Sequence, residues 1–295
     1  MKNKIKFVGA LMCATVFACC AHCAEKLLIA GCNFNKIMVV DKSTGAKDWI
    51  YEIPQYRECN CASLSKDKKL LVYANRQNVR LINFKTKEQI WEMPMPQGQE
   101  AHTARFLPNG NILIGICALP QARILEIDKN AKILKEIKFD TGVNNPHGQF
   151  RQIIKNKKGN YVVPIIGRGA VVEINGNGEI LNEVLPRVPF FSVKELKNGD
   201  WLLSGDGGRI YIINPATKEN LRIIDNKNID GAKMLFMTEA HMLKNGNILA
   251  SNWNGHSSDK SQPKLMEIDK NNRVVWKLEN DDEISNISAV SIIGK

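Results

Sequence analysis

Beyond residue 24 the chain has four histidines: His102 and His147 stand just before apolar runs, His241 at or within one, and His256 in a long polar stretch. Arg105, Arg151, Arg168, Asp206, Asn252 and Trp253 lie in comparable places. Three chemistries fit such a set. A ring of imidazoles, His102, His147 and His241, is a ligand set for zinc or another divalent transition metal with a position left for water. One histidine as nucleophile or general acid/base beside arginines that hold an anion is a transfer site. Without chemistry, His102, His147, Arg151, Arg168, His241, Asn252, Trp253 and His256 are a binding surface for a small anionic or aromatic ligand, or for a protein partner. The loop from Asn252 to Pro263 is long for its kind, and a tryptophan beside Asn and His suits stacking on a ring.

The elements that must position these residues form a repeat of about 40 to 50 residues. Its first half reads Leu107-Pro108-Asn109-Gly110-Asn111-Ile112-Leu113, then Leu196-Lys197-Asn198-Gly199-Asp200-Trp201-Leu202, then Leu243-Lys244-Asn245-Gly246-Asn247-Ile248-Leu249, with a looser copy at Lys158 to Val163. Asn-Gly between apolar runs predicts a hairpin with a two-residue type I′ turn. Its second half is an apolar strand ending in Asp or Asn, seen six times, at Asp41, Asn83, Asp128, Asn175, Asn214 and Asp269. A further strand follows, carrying Trp49, Trp91, Leu134, Leu181, Leu221 or Trp276. The recurring tryptophans are expected in the core.

Four short strands per unit and no helical period predict an all-β single propeller of about six blades. The first unit begins at its second strand, Leu27 to Ala30, and a lone strand from Ile287 to Ile293 ends the chain, so the C-terminal strand is expected to complete the first blade. On that plan the loops before first strands and between second and third strands share one face. The histidines, Arg105, Arg151, Arg168, Asp206, Asn252 and Trp253 all map there. Glu100-Ala101-His102 and Glu239-Ala240-His241 look alike, but stand at different distances from the following Leu107 and Leu243, which speaks against a symmetric three-histidine ring.

Lys2, Lys4 and Lys6, then an uncharged stretch to about Ala21 and small residues to Ala24, have the order of a secretory leader, too short for a membrane span. Residues 1–24 are read as that leader and residues 25–295 as the propeller domain, periplasmic or secreted. Acylation at Cys19 or Cys20 is disfavoured by the bulky Val16-Phe17. The net charge of +11 falls to +8 without the three leader lysines, since residues 1–24 hold no Asp or Glu. The lysines are scattered through turns without aromatic interleaving, so nucleic acid is not an expected partner. A monomer is expected. Cys32, Cys59, Cys61 and Cys117 remain, and in an oxidising compartment a bridge from Cys32 to Cys59 or Cys61 is expected.

The run Val39-Val40-Asp41-Lys42-Ser43-Thr44-Gly45-Ala46-Lys47-Asp48-Trp49, with weaker echoes ending at Trp91 and Trp276, resembles the repeat of pyrroloquinoline-quinone-type propellers. The Leu-x-Asn-Gly hairpins followed by Ile-Asp or Ile-Asn strands resemble the propeller of bacterial arylsulfate sulfotransferases. Quinone is not an expected cofactor, because the quinone-dependent dehydrogenases are much longer, eight-bladed proteins and residues 25–295 contain no adjacent cysteine pair. The sulfotransferase resemblance implies His241, His256 and Arg168 as catalytic residues. A metal-dependent lyase or hydrolase on the same face, and an envelope-assembly scaffold, are the other classes the fold admits.

Overall fold

In the computed structural model the described residues are 25–295 except 256, 258, 260, 279, 280, 282 and 295. The expected leader and His256 therefore lie outside them. Six four-stranded antiparallel sheets follow one another around a ring. Blade 2 spans 61–94, blade 3 spans 100–139, blade 4 spans 154–184, blade 5 spans 190–224 and blade 6 spans 236–278. Blade 1 joins residues 26–52 to the C-terminal strand Asn286–Ile292, with Leu27 opposite Ile292. The predicted closure is present, and it leaves no blade short of an inner strand. Among the described residues no helix is long and apolar enough to cross a membrane.

Local chemistry sets the strand ends. The side chains of Asp41, Asn83, Asp128, Asn175, Asn214 and Asp269 each accept from the backbone N–H two residues on, at 2.8–2.9 Å. The Asn-Gly hairpins differ from the expected turn. Only the glycine has positive φ, +87° at Gly110, +93° at Gly199 and +85° at Gly246. Gly110 N–H bonds Leu107 O at 2.9 Å, which closes a turn over Pro108-Asn109. Asn109 Oδ1 accepts from Asn111 N instead of adopting the left-handed region. These are type I turns followed by a left-handed glycine, the longer hairpin solution.

The outer strands carry a second correction. Leu134, Leu181 and Leu221 are exposed, and the positions matching the tryptophans are Lys135, Asn182 and Arg222, one residue later. Every blade has a register shift just before that point, which defeats counting from the preceding turn. In five of the six blades the residue at this position donates to the next blade. The indole N–H groups of Trp49, Trp91 and Trp276 donate to Phe84 O, Lys129 O and Lys42 O at 2.9–3.1 Å. Asn182 Nδ2 donates to Pro215 O and Arg222 Nη2 to Asp269 O. The tryptophans are half-buried fasteners at the blade boundary rather than core.

The expected disulfide is absent: all four cysteines are free thiols. Cys59 packs between blades 1 and 2, Cys61 Sγ donates to Ala104 O and Cys117 Sγ to Phe150 O, so three thiols already have separate buried surroundings. Burial pushes the Cys117 thiol up to about 12.

Candidate functional site

The inner strands run from one mouth of the central channel to the other, and local breaks in their pairing decide which side chains face the axis. His102 sits in the gap between the paired residues Ala101 and Thr103. The same position is filled by Phe191 in blade 5, Thr238 in blade 6 and Ser288 in blade 1. Asn60 and Arg151 precede the inner strands of blades 2 and 4 and complete the ring. An unpaired residue at a bulge turns its side chain out of the strand's alternation, here toward the mouth.

A cavity of about 790 Å³ opens there. Blades 5 and 6 give it an aromatic wall: Phe191 meets Phe236 edge-on at 5.9 Å, and Phe236 meets Trp253 at 5.5 Å. Blades 2 and 4 give it a charged wall of Arg57, Glu58, Arg76, His147 and Arg151. Cys32 also lines it, with its thiol pushed up to about 12 by burial and by the Glu58 carboxylate, so it stays protonated.

The charged wall is built around Glu100. Its Oε2 accepts from His102 Nε2 at 2.9 Å and His147 Nδ1 at 2.8 Å, and its Oε1 accepts from Arg76 Nη2 at 2.7 Å. Burial opposes the Glu100 charge, but those bonds outweigh it and hold the carboxyl far below the usual carboxylate range. His102 is fully buried, and burial together with the Arg151 charge lowers it to about 4. It is therefore neutral, with its proton on Nε2 and with Nδ1 accepting from Asn60 Nδ2 at 2.9 Å. Arg151 donates to His147 Nε2 at 2.9 Å, to His147 O at 2.7 Å and to Phe150 O at 3.0 Å. Asn145 starts the short 3₁₀ turn Pro146–Gly148 by accepting from His147 N, which fixes that imidazole over the mouth.

A second polar layer lies deeper. Gln152 joins inner segments of different blades, its Nε2 facing Asn60 O at 2.8 Å, Glu239 Oε2 at 3.0 Å and Ser288 O at 3.1 Å. Arg105 Nη2 donates to Gln152 Oε1 from below, and Lys194 pairs with Glu239. Arg105 and Lys194 line a separate depression toward the opposite face.

Of the residues singled out from the sequence, His102, His147 and Arg151 come together, and Trp253 faces them across the cavity. His241 is elsewhere: it stands in the lower layer, its Nε2 against Val290 O at 2.7 Å and Glu239 Oε1 at 3.2 Å. The three-histidine ring is accordingly not assembled. Arg105, expected at the mouth, is also below Gln152. Arg168 lies off the cavity and pairs with Glu183, and Asp206 caps its own turn at Gly207 N. Asn252 is a buried brace, accepting from Leu235 N and donating to Lys233 O. The sequence reading passed over Glu58, Glu100, Asn60 and Arg76. A signal was present: Glu58 and Glu100 each precede their first hairpin residue, Ser65 and Leu107, by seven positions.

The model of Mal s 1 allergenic protein-like proteins matches residues 32–273. The chain belongs to the Mal s 1-like family. A crystal structure of a protein of unknown function from Bacteroides caccae is 34% identical, covers 90% of this chain and 98% of its own, and superposes with a TM-score of 0.85. A WD40 propeller domain of Doa1 is 12% identical over 77% of this chain and 86% of its own, with a TM-score of 0.48. No curated protein matches the chain. The Mal s 1-like match takes in part of every blade and the whole Glu100 cluster, and the strands Val274–Leu278 and Asn286–Ile292 lie outside it.

Proposed function

We propose that this Mal s 1-like propeller is exported and binds, at the channel mouth, a small ligand with an aromatic or apolar body and an anionic group. The observation that carries the reading is the cavity with two unlike walls, Phe191, Phe236 and Trp253 facing three guanidinium groups. Aromatic faces hold a ring through burial and edge contacts, while guanidinium groups hold an oxyanion with charge-assisted bonds. Beneath the mouth Gln152 ties together Asn60, Glu239 and Ser288. The leader-like first 24 residues support export, with Glu25 as the expected first residue of the secreted form, checked by intact mass.

The sulfotransferase-like reading asks for His241, His256 and Arg168 at one centre. His241 and Arg168 are held by other partners, in different places, which favours the mouth cavity over that set. The test is a thermal-shift and calorimetric panel of aryl sulfates, aryl carboxylates and aryl phosphates. At least one class is expected to raise Tm, and the rise is expected to vanish in Trp253→Ala and in Arg57→Ala. A panel without any shift, or shifts unchanged in both variants, contradicts the reading.

A further inference from the structure

Four side chains at the edge of the cavity present ligand atoms to one point. Glu58, Glu100, His102 and His147 offer carboxylate oxygens and imidazole nitrogens that all lie within 4.8 Å of one another. Two features single this group out from an ordinary hydrogen-bonded cluster. Both imidazole N–H groups converge on a single oxygen, Glu100 Oε2. Glu58 Oε1, buried, 3.8 Å from His147 Nδ1 and 3.9 Å from Arg76 Nε, has these charged neighbours but no hydrogen-bond partner among the described residues. A buried carboxylate oxygen without a donor is costly unless something positive joins it.

We propose that Glu58, Glu100, His102 and His147 bind one divalent first-row transition metal, through Glu58 Oε1, Glu100 Oε2, His102 Nε2 and His147 Nδ1. Two nitrogens and two oxygens suit zinc, iron(II), cobalt(II) or manganese(II), at about 2.0–2.2 Å per bond, so Glu58 Oε1 must draw in while the 2.8 and 2.9 Å contacts at Glu100 Oε2 open. The two carboxylates balance the metal's charge. Glu58 and His147 line the cavity, which leaves a coordination position open on that side.

The protons can be followed atom by atom. Each imidazole gives its metal-facing nitrogen lone pair and carries its proton on the other nitrogen, so none is released. For His102 the proton moves to Nδ1, and rotation of the Asn60 amide turns its Oδ1 into the acceptor. Glu100 keeps Oε1 on Arg76, which leaves Oε2 for the metal. For His147 the proton moves to Nε2, where Arg151 now donates. Two donors cannot share that contact, so Arg151 must release the ring while keeping its bonds to His147 O and Phe150 O. Arg151 is thus a competitor of the metal, and a residue that accepts at the same place strengthens the site.

The proposal does not rest on the small-ligand reading, because the metal alone is the probe. Mature protein, residues 25–295, is stripped with chelator and titrated with Co²⁺, followed by its d–d absorption, with Zn²⁺ as competitor. One equivalent is expected to bind. Glu58→Gln and His147→Ala, both at the cavity surface, are each expected to weaken binding by about tenfold or more, and Arg151→Gln to tighten it by a similar factor. Trp253→Ala is expected to leave it unchanged. Melting curves of all variants separate lost ligation from lost fold. No saturable uptake of either metal by the wild type, or unchanged uptake in the folded Glu58→Gln, His147→Ala double variant, overturns the proposal.

Discussion

The tripeptide Glu-Ala-His occurs twice on inner strands, at Glu100-Ala101-His102 and Glu239-Ala240-His241, and the two copies end in different worlds. In blade 3 the break in pairing falls on His102, so Glu100 and His102 open the mouth cluster. In blade 6 it falls on Thr238 and Glu239, so the same letters sit three residues further along the strand. There Glu239 accepts from Val290 N at 2.8 Å, faces Gln152 and pairs with Lys194, and is 3% exposed. Burial opposes its charge, yet Lys194 and His241 hold it well below the usual range. Burial, with Lys194 adding to it, also lowers His241. One copy lies behind the cavity wall, joined through Glu100 to the cavity-lining His147 and beside a Glu58 oxygen without a hydrogen-bond donor. The other is fully wired between three blades. Position relative to a bulge, not residue type, separates a site from a brace.

The largest effect that sharpens this contrast is on Glu239. Glu239→Ala leaves Lys194 and a backbone N–H without their partner inside the ring, and is expected to cost about 3–5 kcal/mol in denaturant unfolding. Gln152→Ala removes the contact between the layers and strands Arg105, with an expected loss of about 2–3 kcal/mol. A smaller signature is pH dependence. The unfolded chain protonates this carboxyl near about pH 4.3, while the folded chain, with Lys194, Arg105 and His241 facing it, resists. The stabilisation is therefore complete above that pH and declines as pH falls through the folded value. Tm is expected to drop on acidification, and less steeply in Glu239→Gln. The smallest stability effect is on the mouth: Glu58→Gln is expected to change unfolding free energy by about 1 kcal/mol or less, since Oε1 has no hydrogen bond to lose and Oε2 accepts only a long one from Cys32 Sγ. A loss at Glu58 as large as at Glu239 breaks the comparison.

Much of the fold was legible because its signals are local. Asp41, Asn83 and their counterparts mark strand ends through bonds spanning two residues, and the lone C-terminal strand announces closure. The errors arose where geometry is not local. The bulge on each outer strand moved the fastening position from Leu134, Leu181 and Leu221 to Lys135, Asn182 and Arg222. The Asn-Gly turns admitted two solutions with the same letters, and the one adopted keeps Asn109 out of the left-handed region. At the site, His102, His147 and Arg151 were found because loops before inner strands share a face. Glu58 and Glu100 read as ordinary charges, since nothing in their own segments shows that blades 2 and 3 bring them together. His241 was misplaced by the three-residue difference in its distance from the hairpin.

The most direct test of the two-layer account compares His147→Ala with His241→Ala, each measured for Tm and for Co²⁺ uptake. The account predicts that His147→Ala keeps its Tm and loses metal, while His241→Ala loses Tm and, below its melting point, still binds one equivalent. Metal lost in His241→Ala but kept in His147→Ala would contradict it.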